Sequence, residues 1–191
     1  LYERAVNVFP AGVTYHLRWF HPYPFYVSRA EGPYVWDVDG NMYVDFWMGH
    51  GSQLLGHKSK IVLKGVSKYL EELGSHVGYE HRLAVEYAEF LSETIPCVEE
   101  LRFTNSGTEA AMYAIRLARA YTGKLKIVKV NGGWHGGYDT LHVGTAPPYS
   151  EPGSAGLPYD TVKYTVTVPF NDLETCLLYT SDAADEGLGV D

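Results

Sequence analysis

The sequence predicts an α/β protein in which helices flank a mostly parallel sheet, preceded by an N-terminal segment that contains a β-hairpin. Two stretches support this fold class. Residues 34–46, YVWDVDGNMYVDF, read as two strands on either side of Asp39-Gly40, a strong hairpin turn signal. Residues from about 100 to 130 then read as strand, helix and strand, the order that places parallel strands in one sheet.

Two amphipathic helices are predicted between these stretches. The glycine-rich connection MGHGSQLLGH, residues 48–57, leads into the first helix, which ends at Gly74. The apolar positions of this helix, which recur at helical spacing, are Ile61, Val62, Val66, Tyr69, Leu70 and Leu73. The second helix ends before Pro96, and its apolar positions are Leu83, Tyr87, Leu91 and Ile95.

A strand–helix–strand unit follows. We expect a short strand at about 100–104, then a helix that begins at NSGTEAAM and ends at Gly123, then the strand KIVKV at 126–130. Because such units place their strands parallel, the loops after both strands leave the same edge of the sheet, where ligands bind in open α/β folds. The sequence therefore predicts that residues 106–108 and the loop NGGWHGG at 131–137 face a common space.

Composition limits the class of function. Hydrophobic residues make up 46% of the 191 residues and charged residues 20%, which is enough for a sizeable core. The net charge is −8 and no basic run occurs, which argues against nucleic-acid binding. Cys97 and Cys176 are far apart, so a reducing, cytoplasmic setting is expected. No apolar run approaches the roughly 20 residues that a membrane span requires, and no secretory signal is recognisable.

Ser106, Gly107 and Thr108 permit two interpretations. Ser106 followed three residues later by Glu109 matches a capping box, which needs no ligand. Alternatively, the three residues form an anion-binding cup, since amides at a helix N-terminus point outward and two hydroxyls can donate to phosphate oxygens. The second loop favours the cup, because a capping box alone does not require a glycine-rich partner loop on the same edge.

Trp134 and His135 also have a structural alternative, as a core aromatic and a surface or buried histidine. Between two glycine pairs, however, Trp134 has little local packing, and a flat indole beside a phosphate cup is suited to covering a planar ring. Metal binding is not supported, since the histidines lack cysteine or carboxylate partners at ligand spacing. Neither a P-loop nor a G-x-S-x-G nucleophile motif occurs.

The run NSGTEAAMYAIRLARAYTGKLKIVKVNGGWHGGYD resembles the central segment of class III, fold-type I pyridoxal-phosphate aminotransferases, nearest to the branch with glutamate-1-semialdehyde 2,1-aminomutase. The resemblance extends from FPAGV at 9–13 through GPYVWDVDGNMYVDF, LLGH and RFTNSGTEA to PFND at 169–172. It implies the three-layer fold-type I architecture, here incomplete, and a homodimer with small-molecule amino donor and carbonyl acceptor as partners.

The resemblance also implies residue roles. Ser106, Gly107 and Thr108 hold the phosphate of pyridoxal 5′-phosphate, and Trp134 stacks on its pyridine ring, where the aminomutases more usually carry Tyr. His135 and Gly136 complete the aromatic-His-Gly motif of that loop. On the substrate side, Arg18 matches an arginine that receives the substrate carboxylate, for which a guanidinium is well suited, and His50 stands in the substrate pocket. An ordinary surface arginine is the alternative at position 18.

Three stretches depart from the aminomutase pattern. The Asn-Ser-Pro-Val-Arg run around the substrate arginine is replaced by residues 14–18, Thr-Tyr-His-Leu-Arg, and Ser-Trp-Gly-Pro by residues 49–52, Gly-His-Gly-Ser. Gly-His-x-His-Pro reads Gly-His-Lys-Ser-Lys at residues 56–60. The first two changes fall in the substrate pocket and leave the cofactor loops unchanged.

The ends of the chain suggest a fragment. LYERAVNVFPAG lacks an initiator Met and reads like the middle of a helix, and CLLYTSDAADE at 176–186 looks like translated sequencing-adapter read-through. We therefore divide the chain into residues 1–50 as the hairpin-containing N-terminal segment, 51–175 as a partial large cofactor-binding domain, and 176–191 as a non-native tail. None of the lysines present matches the family's Schiff-base lysine, which is expected downstream, so this segment alone is expected to be inactive.

The function expected from these observations is a pyridoxal-phosphate-dependent aminotransferase. One alternative is glutamate-1-semialdehyde 2,1-aminomutase itself, which moves nitrogen within one molecule. The alternative from another class is a non-catalytic phosphate- or nucleotide-binding α/β module. A lysine in a strand-end loop of the full-length protein would decide against this module.

Overall fold

The computed structural model describes residues 1–75 and 77–177. The described residues form two compact units, which divide between Ala84 and Val85. The helices are α1 (Tyr2–Ala5), α2 (Lys60–Leu73), α3 (Arg82–Thr94), α4 (Gly107–Thr122) and α5 (Tyr159–Val162). The strands are β1 (Val27–Glu31), β2 (Tyr34–Asp37), β3 (Met42–Val44), β4 (Ile127–Val130) and β5 (Thr165–Val168). Most of the predicted tail, residues 178–191, lies outside the described residues.

The first unit contains an antiparallel sheet in the order β1-β2-β3. β2 and β3 form the hairpin predicted around Asp39-Gly40, and Gly40 takes the positive φ of +91° that glycine accepts readily. β1 was not predicted, because VSRAE lacks a clear alternation. The stretch LLGH folds back onto this sheet, since Gly32 and His57 exchange two backbone hydrogen bonds of 2.9 Å.

The buried carboxylate of Asp37 organises the hairpin turn. It accepts hydrogen bonds from the backbone amides of Asp39 (3.0 Å) and Asn41 (2.8 Å), from Asn41 Nδ2 (2.8 Å) and from Tyr43 Oη (3.0 Å). The side-chain hydrogen bond from Asn41 is the main reason that the pKa of Asp37 lies below the ordinary aspartate value; burial opposes this shift. The charged form of Asp37 therefore stabilises the fold.

The second unit contains the helix α4 and a parallel pair, β4 and β5. α4 begins after Ser106 and ends at Gly123, which adopts the left-handed conformation with φ of 70°, as its sequence predicted. The predicted strand at about 100–104 is wrong: residues 101–104 form no regular ladder, and β4 pairs with β5 instead. A strand requires a neighbour to satisfy its backbone groups, and the described residues offer none to this stretch.

Apolar side chains on the long helices remain exposed. The positions predicted from helical periodicity lie in α2 and α3, except Ile95, which is one residue beyond the end of α3. No described residue of α2, α3 or α4 is buried, and Ile61 is 78% exposed. The buried hydrophobic residues instead come mainly from β2, β5 and the turn around 141–143. The predicted division at residues 50 and 175 stays a prediction, because compactness of this segment does not define the domains of a longer chain.

The Asp37 turn predicts a specific pH dependence. A lowered native pKa contributes stability that is present above the unfolded value of about 3.9 and is lost as the pH falls through the native pKa. In the full-length protein, we expect Asp37→Asn to lower the thermal midpoint at neutral pH, and we expect this difference from wild type to shrink in acid. Asp39→Asn, which changes the exposed neighbouring carboxylate, is the matched control and should have little effect. Equal effects of the two variants at neutral pH would contradict the assigned role of Asp37.

Candidate cofactor site

The start of α4 forms the predicted capping box in a slightly shifted form. Ser106 Oγ accepts a 3.2 Å hydrogen bond from the backbone amide of Glu109, and Glu109 Oε2 accepts one of 2.7 Å from the amide of Asn105. The structure therefore confirms that Ser106 caps α4. This cap uses Ser106 only as an acceptor, so the hydroxyl proton is still available to a ligand.

The backbone of the cup formed by residues 106–108 is open to a ligand. The amides of Gly107 and Thr108, in the first turn of α4, have no acceptor within the described residues. A Cβ added at Gly107 would meet no described protein atom within 4 Å, so the space beside it is free. Two amides and a hydroxyl thus offer donors at the positive end of a helix dipole.

The glycine-rich loop 131–137 reaches this cup, as predicted. The amide of Gly137 donates to Thr108 Oγ1 at 3.2 Å, which joins two segments 29 residues apart in sequence. Gly136 has a φ of +85°, and a Cβ at this position would lie 2.7 Å from the Cα of Thr108. Only glycine satisfies both constraints. Like Ser106, Thr108 accepts a hydrogen bond through its side-chain oxygen and retains its hydroxyl proton for donation.

Trp134 is not a core aromatic. It is 54% exposed, and within the described residues its ring contacts that of His142, at 5.2 Å between centroids and 89° between planes. His135 is also exposed, and its ring lies close to Gly133, where a Cβ would be 2.9 Å from Nε2. The loop therefore presents an indole and an imidazole outward, beside the contact between Gly136 and Thr108.

Two residues beneath and at the start of this loop were not identified as site residues from the sequence. Lys129, in β4, is 5% exposed, and Nζ donates to the carbonyls of Gly133 (2.8 Å), Leu141 (2.9 Å) and Val143 (2.8 Å). Burial lowers the pKa of its ammonium group. Asn131 is the first residue after β4, and its buried Oδ1 has no partner within the described chain. The only available signal was a lysine set between valines in a short strand.

The predicted substrate residues lie in the first unit, around one aromatic side chain. Arg18 Nη1 donates to Thr14 Oγ1 at 2.9 Å, and the Arg18 guanidinium carbon is 5.9 Å from the ring centroid of Tyr15. The His50 ring is 6.1 Å from that of Tyr15 and 4.7 Å from that of Trp47. Arg18 and His50 are thus brought together, and the sequence analysis had not selected Tyr15 or Trp47.

Two features are absent from the part of the chain that the structure describes. Within residues 1–75 and 77–177, no helix is long and apolar enough to cross a membrane. The same residues contain no group of three or more His, Cys, Asp or Glu side chains that could hold a metal ion.

The residues around the cup fit a phosphate ester next to a planar ring. The cup supplies neutral donors at a helix N-terminus, Gly107 and Gly136 permit close approach, and Trp134 offers an exposed aromatic surface on the adjoining loop. These residues fit the phosphate and one face of the ring of pyridoxal 5′-phosphate.

Comparison with known proteins identifies the family of this chain. Residues 15–176 match the family described as aminotransferase class-III. The chain is 46% identical over 177 residues to a glutamate-1-semialdehyde 2,1-aminomutase of Methanothrix thermoacetophila, covering 91% of this chain and 41% of that protein. The chain therefore spans about two fifths of the length of such curated relatives.

Solved structures of transaminases share the fold. An omega-transaminase from Sphaerobacter thermophilus has a TM-score of 0.90 at 34% identity, covering 97% of this chain and 44% of that one. A transaminase solved with pyridoxal phosphate bound also has a TM-score of 0.90, at 37% identity, covering 96% of this chain and 44% of that one. The predicted fold class, an incomplete fold-type I α/β architecture, is thereby confirmed, and the chain belongs to the class-III aminotransferase family.

Proposed function

We propose that this chain is the part of a pyridoxal-phosphate-dependent aminotransferase that holds the cofactor's phosphate and ring. The full-length protein would transfer an amino group between an amino acid or amine and a carbonyl acceptor. The family match and the transaminase structures support this reaction class. When bound, pyridoxal phosphate supplies the electron sink for the chemistry, and the protein supplies binding and orientation.

The observation that carries the proposal is the hydrogen-bonding state of the cup. Ser106 and Thr108 each accept one hydrogen bond from a backbone amide, which leaves each hydroxyl proton free to donate. The free amides of Gly107 and Thr108 add two further donors within the described chain. An acceptor-rich dianion such as a phosphate monoester would satisfy all four.

The loop residues would position the ring of the cofactor. The indole of Trp134 would cover one face of the pyridine, because its surface is exposed and the neighbouring Gly136 is fixed against Thr108. His135 and Gly136 would complete the wall beside it. These residues exclude water from one side of the ring and limit its rotation about the phosphate ester.

Arg18 and His50 would recognise the substrate. The guanidinium of Arg18 is exposed and has no carboxylate partner in the described part of the chain, so it can receive a substrate carboxylate in a bidentate pair. The ring of His50 lies near the ring of Tyr15, which also lies near Arg18. His50 would contribute to the shape of the substrate pocket.

A glutamate-1-semialdehyde 2,1-aminomutase is the second candidate. The curated relatives with 46% and 44% identity carry that name. Against it, residues 14–18 and 49–52 depart from the aminomutase sequence at the substrate pocket while the cofactor loops are retained. These departures favour an intermolecular transfer. A homodimer in the cytoplasm, the expected assembly and location, is part of the same proposal.

A direct assay separates these functions. We expect the full-length protein to transfer the amino group of an amino acid to a keto acid at a rate that exceeds any isomerisation of glutamate-1-semialdehyde. Isomerisation without intermolecular transfer would identify an aminomutase. Failure to bind pyridoxal phosphate at all would favour the non-catalytic phosphate- or nucleotide-binding module.

The cup predicts the effect of one substitution. Thr108→Val removes a hydroxyl donor and keeps the branched shape, so we expect cofactor binding to weaken by about 1–3 kcal/mol. The measurement is titration of the full-length apoprotein with pyridoxal phosphate. Thr122→Val, at the opposite end of α4, where the hydroxyl donates to the carbonyl of Ala118, is the matched control. If Thr108→Val leaves the affinity unchanged, Thr108 has only its structural role.

The substrate pocket predicts a second effect. Arg18→Lys keeps the positive charge and loses the bidentate geometry, so kcat/KM should fall for amino acids and change little for amines without a carboxylate. Steady-state assays on one substrate of each type measure this selectivity. Equal losses on both types would remove Arg18 from the substrate site.

A further inference from the structure

The side chain of Lys129 has an unusual environment for a charged group. It is 5% exposed, yet its ammonium group pairs with no carboxylate in the described residues. Its three protons are matched by three backbone carbonyl oxygens at 2.8–2.9 Å, those of Gly133, Leu141 and Val143. Hydrogen bonding by this group is therefore complete, and Lys129 Nζ has no donor left for a ligand.

Burying a charge without a counter-charge costs free energy. The positions of the three carbonyls that accept from Lys129 therefore indicate what the buried ammonium group contributes. The three carbonyls belong to two separate stretches of the segment that follows β4. Gly133 lies in the glycine-rich loop, whereas Leu141 and Val143 lie at and after the helical turn Asp139–Leu141. One ammonium group thus links the glycine-rich loop to the residues at and after the helical turn by hydrogen bonds.

The hydrogen bond from Lys129 to Gly133 lies directly next to the residues that would face the cofactor. Gly133 precedes Trp134, and three residues further on Gly136 contacts Thr108. The loop is held on the other side by the Gly132 amide, which donates to the carbonyl of Gly144 at 2.8 Å. Residues 134–136 therefore lie between two hydrogen bonds that hold the loop. On one side Lys129 Nζ donates to the carbonyl of Gly133, and on the other the amide of Gly137 donates to Thr108 Oγ1.

We propose that Lys129 is a positioning residue of the cofactor site, whose ammonium group fixes the Gly133 carbonyl and thereby orients Trp134 and holds Gly136 against the cup. This inference rests on the proposed function, because it assumes that the cup binds the cofactor. Lys129 itself does not touch the cofactor. Its saturated hydrogen bonding also separates it from a lysine that would bond covalently to a ligand.

The test compares two variants of the full-length protein. Lys129→Met keeps the length and removes all three donors, whereas Thr165→Val removes the 2.6 Å hydrogen bond from another buried side chain to the Thr140 carbonyl in the same segment. Both variants should lower the thermal midpoint. We expect only Lys129→Met to weaken binding of pyridoxal phosphate, by about tenfold, the loss typical when a residue that supports a metal ligand is removed.

Two readouts distinguish orientation from stability. Affinity is measured with pyridoxamine phosphate as well as pyridoxal phosphate, because the amine form cannot bond covalently to a lysine. The circular dichroism of the bound cofactor reports how the ring is held. We expect Lys129→Met to alter this signal in the fraction that still binds, and Thr165→Val to leave it unchanged.

If Lys129→Met does not fold, Lys129→Gln, which keeps two donors on a shorter side chain, replaces it with the same expectation of weaker binding. Wild-type affinity and dichroism in the folded variant would overturn the positioning role while leaving the proposed function intact. Absence of cofactor binding in the wild-type protein would overturn both. An equal loss of affinity in Thr165→Val would also overturn the proposal. It would mean that Lys129 affects cofactor binding only through the stability of the fold.

Discussion

The contact between Thr108 and the backbone of Gly136 and Gly137 is the constraint on which the candidate site depends. It brings the start of α4 and the loop after β4 together, although they are separated by most of a helix and a strand. A side chain at Gly136 would push the two apart, since its Cβ would lie 2.7 Å from the Cα of Thr108. The position of Trp134 relative to the cup follows from this close approach.

The same residues serve both structure and ligand binding. Ser106 caps α4 and Thr108 receives the Gly137 amide, but both hydroxyls act as acceptors in these roles. Since a hydroxyl can accept and donate at once, the capping and anion-binding interpretations are compatible. Below the loop, the ammonium group of Lys129 donates to three backbone carbonyls of irregular structure, which have no strand partner within the described residues to satisfy them.

Local signals predicted most of what was found. The Asp39-Gly40 turn, the apolar spacing of α2 and α3 and the Ser106 and Gly123 ends of α4 each depend on a few neighbouring residues. The strand at 100–104 failed because pairing depends on a distant partner, and β1 was missed because the alternation of VSRAE is weak. β5 was also missed, although TVTV alternates β-branched residues as a strand does. Lys129 was missed because a lysine in a short strand is expected to be exposed, and only the fold reveals its three carbonyls.

The most direct measurement is a crystal structure of the full-length protein with pyridoxal phosphate. The account predicts phosphate oxygens within about 2.7–3.2 Å of the Ser106 and Thr108 hydroxyls and of the Gly107 and Thr108 amides. It also predicts the indole of Trp134 stacked on the pyridine ring. A phosphate bound elsewhere, with Ser106 and Thr108 engaged only in their capping and loop contacts, would contradict the account.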